Sequence, residues 1–271
     1  MPASQLPLIL EPDVLQPHLG SEHLRVVDLS KPETYAQFHI PGARHLDYSQ
    51  IVAVRPPVAG LLPDEAHLNQ VLSSVGITPD THVVAYDDEG GGRAARLLWT
   101  LDVSGHARFS LLNGGLHAWA NEGYPLDHRP VETTRGDFQA TRRADGIAER
   151  DYILTRLGDS STALLDCRSP DEYWGVKRLA ERAGHIPGAV NLEWTQAMDT
   201  TRNLRLKPDA ELRRQLEALG VTPDKEVIAY CQTHHRSAYS YIVLKSLGYP
   251  RVKGYPGSWS EWGNSADTPV E

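Results

Sequence analysis

A cysteine at the start of a short polar loop is the residue in this sequence best suited to chemistry. Cys231 begins the run Cys-Gln-Thr-His-His-Arg, residues 231–236, directly after an apolar stretch. The reactive form of cysteine is the thiolate, which is favoured where backbone N–H groups, a helix N-terminus or a cation oppose its charge. Arg236 supplies such a cation, as do His234 and His235 when protonated. The pattern therefore predicts a nucleophilic thiolate.

The elements that must position this loop occur twice in the chain. Five segments recur in the same order, shifted by about 138 to 146 positions. The recurring segments pair residues 26–28 with 164–166, 39–43 with 185–189, 76–80 with 220–224, 83–86 with 227–230, and 114–119 with 257–262. Five collinear matches at a nearly constant offset indicate a tandem duplication, and the second copy contains an insertion near residues 174–182.

Each copy alternates short apolar strands with amphipathic helices. Helices are expected over residues 63–75 and 208–219, and Leu212, Leu216 and Leu219 recur at helical spacing in the second of them. A glycine follows each helix, where a C-terminal cap is expected. This alternation predicts an α/β fold with two similar domains, each a mostly parallel sheet flanked by helices.

The two copies are separated by a stretch without apolar periodicity. Residues 127–146 are rich in Arg, Thr, Asp and Gly, which is typical of a linker at the surface. We therefore place an N-terminal domain at residues 1–126 and a C-terminal domain at residues 147–271.

The copies differ where the chemistry is expected. The position of Cys231 is occupied by Asp87 in the first copy. A residue at the C-terminal end of a parallel strand lies where open α/β sheets bind their ligands, so the first copy is predicted to be inactive. The second cysteine, Cys167, corresponds to Leu29, which indicates a packing position.

Composition excludes several kinds of partner. The formal charge is −8 and no Lys/Arg block stands out, which argues against nucleic acid or an anionic membrane. Two cysteines cannot form a disulfide framework, so a reducing, cytoplasmic setting is expected. Residues 1–14 have no basic region like that of a signal peptide, and no apolar stretch approaches transmembrane length. The duplication supplies an internal interface, which favours a monomer.

A metal site is not expected, and no cofactor is implied. His234 and His235 are adjacent on one short loop and would point in different directions, whereas zinc requires three or four converging ligands. The two histidines could instead contact a substrate or shape the loop.

The order of these motifs resembles that of tandem-domain rhodaneses, thiosulfate:cyanide sulfurtransferases of bacterial type. The resemblance covers essentially the whole chain. It rests on residues 166–168 with Glu172 and Tyr173, on 184–189, on the Cys-Gln-Thr-His-His-Arg loop 231–236, and on 257–262. It implies two tandem rhodanese-like domains, with an inactive N-terminal domain and the site in the C-terminal one.

The resemblance also implies a ping-pong mechanism and roles for the loop. Cys231 would take the outer sulfur of thiosulfate as a persulfide, release sulfite and pass the sulfur to cyanide or another thiophilic acceptor, such as a thiol. Backbone amides from Gln232 through Thr233 to Arg236 would hold the charged persulfide. Arg236 would contact the thiosulfate anion or close the loop.

Two departures from the family leave the physiological donor and acceptor open. Better-known rhodanese loops carry a basic residue soon after the cysteine, but Gln232 and Thr233 are neutral. A substrate-binding arginine of the animal enzymes corresponds here to Glu172. Asp166 and Arg168 are expected to form a structural ion pair.

Three alternative functions remain. The protein could be a persulfide carrier that feeds cofactor biosynthesis. It could be a cysteine-based phosphatase, but such loops place the arginine six positions after the cysteine, and Arg236 is five after Cys231. It could also be a non-catalytic binding scaffold, as the first copy suggests.

Overall fold

The structure, a computed structural model, describes residues 6–271 as two compact units. Unit 1 comprises the described residues up to 51 together with 63–143 and 198–206, and unit 2 comprises 52–62, 144–197 and 207–271. Each unit thus includes a short segment from the other half of the sequence. Residues 127–146, the expected linker, form no helix or strand, and Asp127 makes an isolated bridge to His39. The boundaries at 126 and 147 remain our proposal for where the halves end and begin.

The N-terminal half builds a parallel sheet. The strands of this half of the chain are β1 (Ile9–Leu10), β2 (Leu24–Asp28), β3 (Arg44–His45), β4 (Ala53–Arg55), β5 (Val58–Leu61), β6 (His82–Tyr86) and β7 (Phe109–Leu112). Its α-helices are α1 (Pro12–Leu15), α2 (Pro32–Gln37), α3 (Glu65–Ser74), α4 (Gly92–Val103) and α5 (Gly115–Asn121). Five strands pair in the order β1-β7-β6-β2-β3 within the described residues, and each pair is parallel.

The C-terminal half repeats this plan. Its strands are β8 (Thr162–Asp166), β9 (Val190–Asn191), β10 (Met198–Asp199), β11 (Arg205–Leu206), β12 (Glu226–Tyr230) and β13 (Val252–Gly254). Its α-helices are α6 (Arg150–Leu154), α7 (Pro170–Tyr173), α8 (Asp209–Ala218), α9 (Arg236–Ser246) and α10 (Ser258–Trp262). Four strands form the parallel order β13-β12-β8-β9 in the part of the chain described. The predicted α/β fold is confirmed.

The predicted helices lie where the periodicity placed them. Helix α3 falls within 63–75 and α8 within 208–219. Asp64 begins α3 by accepting a hydrogen bond from the backbone N–H of His67, which satisfies one of the free amides of the first turn. Gly76 and Gly220 follow the two helices with φ of 77° and 71°, the left-handed conformation expected of a C-terminal cap.

Residues shared by both copies build the interior. His185 stacks on Tyr173 with ring centroids 3.7 Å apart, and His39 stacks on Tyr35 at 4.0 Å. The repetition of this arrangement in a copy that lacks the cysteine indicates a structural role for both histidines.

The expected ion pair at the end of β8 is present and buried. Arg168 donates from Nε to both carboxylate oxygens of Asp166 at 3.0 Å and from one terminal nitrogen to the carbonyl of Gly184 at 2.8 Å. Its guanidinium also lies 4.4 Å from the ring centroid of Trp259. The pair therefore fixes the strand end beside the cysteine loop.

Two antiparallel hairpins were not foreseen from the sequence. Strands β4 and β5 form one and belong to unit 2; strands β10 and β11 form the other and belong to unit 1. The first of these hairpins matters for the site because it packs against α10.

Candidate active site

Cys231 lies at the C-terminal end of β12, and the loop that follows leads directly into α9. The cysteine is fully buried at the base of this loop. His234 turns the chain with φ of 53°, in the left-handed region that non-glycine residues seldom adopt. The turn directs backbone amides of the loop toward the sulfur.

The surroundings of Cys231 favour its thiolate. Burial is the largest single effect and raises the pKa of this thiol, but the charge of Arg236 and the hydrogen bonds to the sulfur together outweigh it, so the pKa falls below its ordinary value. The hydroxyl and the backbone N–H of Ser237, together with the N–H of Thr233, also donate hydrogen bonds to the sulfur. These surroundings favour the thiolate form, and the role of Cys231 as a nucleophile stays a prediction.

The guanidinium of Arg236 forms an ion pair with the carboxylate of Glu172. Its two terminal nitrogens donate to Oε2 and Oε1 of Glu172 at 2.6 and 2.8 Å. Burial would raise the pKa of Glu172, but these bonds and the arginine charge lower it to about 2. The pKa of Arg236 rises in turn, because Glu172 and Cys231 outweigh the effect of burial. Both groups are thus charged at neutral pH.

Glu172 is positioned by its own helix. It is the third residue of α7, and Ser169 before the helix forms a capping box with it: each side chain hydrogen-bonds the backbone of the other. The serine hydroxyl also donates to Oε2 of Glu172 at 2.9 Å. The capping box at the start of α7 therefore fixes the carboxylate of Glu172, and this carboxylate in turn fixes the guanidinium of Arg236.

The remaining loop side chains take separate directions. His234 is buried, with Nδ1 2.7 Å from Oγ of Ser237, so it orients a hydroxyl that contacts the sulfur. The ring of His235 lies 5.7 Å from that of Trp194. Gln232 donates from Nε2 to the carbonyl of Leu179 at 3.1 Å.

These positions separate the predicted site residues into groups. The structure brings together Cys231, Arg236 and the amide of Thr233, and it connects His234 through Ser237. The side chains of Gln232 and His235 contact neighbouring segments instead. Contacts of these residues with a substrate remain predictions.

Ser258 holds the loop from the start of α10. Its hydroxyl accepts hydrogen bonds from the N–H groups of Cys231 and His234 at 3.3 and 3.1 Å and donates to the carbonyl of Tyr255 at 2.7 Å. Its φ is 48°, and its counterpart in the first copy is Gly115 with φ of 54°. The second copy thus keeps a serine in a glycine conformation, where a side chain costs about 1 kcal/mol.

The hairpin β4–β5 supports the same loop. A Cβ added to Gly60 would lie 2.2 Å from the carbonyl oxygen of Thr233, so the two backbones can approach only because residue 60 is glycine. Oγ of Ser260 accepts from the N–H of Ala59 at 2.9 Å and lies 2.9 Å from its carbonyl. The loop that begins at Cys231 is therefore enclosed between this hairpin and α10.

In the first copy a carboxylate occupies the corresponding position. Oδ1 of Asp87 accepts from the N–H groups of Glu89 and Gly91 at 3.0 and 2.7 Å, and Oδ2 accepts from Ala94 at 2.9 Å. Burial raises the pKa of Asp87 to about 6. The amides that would hold a sulfur anion in the second copy correspond here to amides that bind an internal carboxylate, which is consistent with the expectation of an inactive first copy.

Cys167 is a packing residue next to the site. It follows β8, whose Asp166 is paired with Tyr230 of β12, so the next residues along the two strands are the two cysteines. Cys167 is fully buried, and burial raises the pKa of its thiol well above the ordinary value. The pKa values of the two neighbouring thiols are thus shifted in opposite directions, upward for Cys167 and downward for Cys231.

Sequence reasoning missed three residues that shape the site. Ser258 could have been found, because it replaces Gly115 in an otherwise matching segment. Ser237 directly follows Arg236 and carried a weaker signal. Gly60 gave none, because its role depends on a contact with a distant segment.

Among residues 6–271, no cluster of three or more His, Cys, Asp and Glu side chains could hold a metal ion. No helix in that range is both long enough and apolar enough to span a membrane.

Comparison with known proteins agrees with the geometry. The family model of the rhodanese-like domain matches twice, at residues 11–122 and 149–265. A thiosulfate sulfurtransferase of Pseudomonas aeruginosa is 50% identical over 268 residues, which cover 99% of this chain and 98% of that protein. The sulfur carrier protein TtuD of Thermus thermophilus is 36% identical over 277 residues, covering 97% and 96% of the two chains.

A solved structure supports the fold alone. It is the anaerobic ergothioneine biosynthesis enzyme from Chlorobium limicola in complex with trimethyl histidine, with a TM-score of 0.83 and 24% identity. The match covers 94% of this chain but only 66% of that protein. Together with the duplicated family match, these findings identify the chain as a member of the rhodanese-like family with two tandem domains.

Proposed function

We propose that Cys231 carries the sulfur in this protein, which is a thiosulfate sulfurtransferase like its relatives of about 50% identity. The observation that carries the assignment of the residue is the set of groups around its sulfur. Arg236, Ser237 and the amide of Thr233 oppose negative charge there. In the first copy, the corresponding loop binds its own Asp87 carboxylate.

The transfer takes two balanced steps. The Cys231 thiolate attacks the outer sulfur of thiosulfate, the sulfur–sulfur bond of thiosulfate breaks, and sulfite leaves with its electron pair. An acceptor then attacks the outer sulfur of the persulfide, and the Cys231 thiolate is regenerated. Because the persulfide and the thiolate are both anions, the groups that lower the pKa of Cys231 stabilise the enzyme before and after each step.

The same proposal covers the acceptor, the oligomeric state, the kinds of partner and the cellular compartment. The acceptor is cyanide or a thiol, and the protein acts as a monomer without nucleic acid or membrane partners. Both cysteines are free, which suits a reducing cytoplasm. The negative net charge of the chain, −8, is consistent with the absence of a polyanionic partner.

Intact mass after exposure to thiosulfate tests the site directly. One added sulfur is expected on the unmodified protein and on Cys167→Ala, and none on Cys231→Ala. Sulfur retained by Cys231→Ala would overturn the assignment. Phosphate release from an aryl phosphate should be negligible, and rapid turnover that depends on Cys231 would instead support a phosphatase.

A role as a persulfide carrier is the second candidate, favoured by the likeness to the sulfur carrier protein of Thermus thermophilus. It predicts that the Cys231 persulfide survives isolation and reacts faster with a protein thiol than with cyanide. If the persulfide reacts with every protein thiol tested no faster than with cyanide, thiosulfate:cyanide sulfur transfer is the better description of the function.

A further inference from the structure

The insertion that distinguishes the second copy carries an exposed apolar surface. The insertion falls around residues 174–182, where the offset between the two copies rises from 138 to 146. Trp174, Val176 and Leu179 lie within it and are 71%, 77% and 45% exposed. We call these three side chains the insertion surface. Three large apolar side chains exposed within six residues of sequence mark an interaction site more often than single ones scattered along a chain do.

The insertion surface is connected to the catalytic loop. Gln232, the residue after the cysteine, donates from Nε2 to the carbonyl oxygen of Leu179 at 3.1 Å. The side chain of Leu179 itself remains exposed. A molecule seated on the insertion surface would therefore lie beside the loop that holds the sulfur.

The insertion is fixed to the fold rather than loosely attached. The backbone N–H of Arg182 donates to the carbonyl of Gly263 at 3.0 Å, and that of Glu181 donates to Oδ1 of Asn264 at 2.8 Å. The guanidinium of Arg182 also donates to the carbonyl of Trp262 at 2.7 Å. Because the surface is already ordered, a partner would lose less binding energy to the immobilisation of this segment.

Charge distinguishes the insertion from the rest of the chain. It contains Lys177, Arg178 and Arg182 against the single acid Glu181, a formal charge of +2 in a protein of −8. Arg178 lies 3.5 Å from Glu181, and Lys177 is exposed. A partner that approaches here would be favoured by acidic residues, through attraction that acts mainly on the rate of association.

We propose that the insertion surface docks an acidic protein whose thiol, flanked by apolar residues, accepts sulfur from Cys231. The inference rests on the proposed function and names its acceptor. The thiolate of the acceptor attacks the outer sulfur of the persulfide, the bond between the two sulfurs breaks, and the Cys231 thiolate leaves. The acceptor becomes the persulfide, and no oxidant or reductant is consumed. The apolar side chains next to the thiol pack on Trp174, Val176 and Leu179.

Synthetic peptides provide a probe of this surface. The first peptide has one cysteine between leucines, with glutamates outside them. A second has lysines in place of the glutamates, and a third has serines in place of the leucines. The reaction of each peptide, and of cyanide, with the persulfide form of the enzyme is followed by the loss of the added sulfur from the enzyme mass.

The enzyme variants separate docking from chemistry. A triple variant changes Trp174, Val176 and Leu179 to serine, and a control variant changes the exposed Val14 and Leu126 to serine. The triple variant should react about tenfold more slowly with the first peptide, because the apolar contact is lost, and within twofold of normal with cyanide. Lys177→Glu should slow the acidic peptide and speed the basic one.

The outcomes are distinct. Equal rates of the triple variant and the control toward the first peptide would overturn the docking proposal, as would equal rates of all three peptides on the unmodified enzyme. An enzyme that forms no persulfide from thiosulfate would contradict the proposed function instead. A parallel loss of cyanide reactivity in the triple variant would show that the insertion supports the loop and does not dock a partner.

Discussion

Arg236 binds both carboxylate oxygens of Glu172 through its two terminal nitrogens, at 2.6 and 2.8 Å. The same guanidinium interacts with the sulfur of Cys231. Its forked face is therefore occupied within the protein, and its charge is held at a fixed position beside the sulfur. This arrangement favours a role for Arg236 in stabilising the thiolate, in addition to any contact with a donor anion.

Loss of the carboxylate should destabilise the fold. Glu172→Ala leaves the mostly buried Arg236 without its counter-charge, which should lower the free energy of unfolding by about 3 kcal/mol. Urea unfolding measures the change. The matched control is Glu181→Ala, whose carboxylate is 82% exposed beside Arg178 and should matter by less than about 0.5 kcal/mol. Similar effects of the two changes would contradict a structural role for Glu172.

Removal of the arginine charge should shift the ionisation of the cysteine. The pKa of Cys231 lies below its ordinary value, and Arg236 is the largest of the causes that lower it. In Arg236→Leu the protonated thiol is no longer disfavoured, so the inflection in alkylation rate should move to higher pH. At pH 7 the rate with iodoacetamide should fall about tenfold.

The pH profile needs its own control. Arg178→Leu removes a charge from the surface, where the side chain is 59% exposed, and should leave the profile of Cys231 unchanged. An inflection that stays in place for Arg236→Leu would show that the hydroxyl and amides alone set the pKa of the thiol.

Ser258 offers a test of strain at the site. Both Ser258→Ala and Ser258→Gly remove the acceptor for two loop amides, at a cost of about 2 kcal/mol. Glycine relieves the positive φ and should be more stable than alanine by about 1 kcal/mol. At Ser260, inside the same helix, the order should be reversed, because glycine is unfavourable there. Urea unfolding of the four variants would contradict the strain argument if alanine were preferred at both positions.

Gly60 tests whether the hairpin sets the position of the loop. In Gly60→Ala the new Cβ would lie 2.2 Å from the carbonyl oxygen of Thr233, so one of the two backbones must move. We expect kcat/KM for thiosulfate to fall at least about tenfold, since small displacements of catalytic groups have large effects on rate.

Gly158→Ala is the matched control for Gly60→Ala. Its φ of 78° is close to the 81° of Gly60, but a Cβ there meets no atom within 4 Å. Gly158→Ala should therefore cost about 1 kcal/mol of stability and leave kcat/KM unchanged. Full activity of Gly60→Ala would mean that the hairpin does not constrain the loop.

The sequence by itself determined the duplication and the α/β architecture, and it predicted the nucleophile. These features depend on the order and local spacing of residues. Apolar periodicity predicts strands and helices, and a nearly constant sequence offset between matching segments indicates a duplication. The replacement of Cys231 by Asp87 in the other copy could likewise be found by alignment of the two halves.

Only the tertiary structure decided what surrounds the sulfur. Glu172 and Arg236 are separated by 64 positions, and Ala59 and Ser260 by 201. No local pattern specifies such pairs, because they arise when strands and loops from distant segments pack at one end of a sheet. The sequence therefore pointed to the thiol of Cys231. Packing placed the groups that surround it: the carboxylate of Glu172, the hydroxyl of Ser258 and the glycine at position 60.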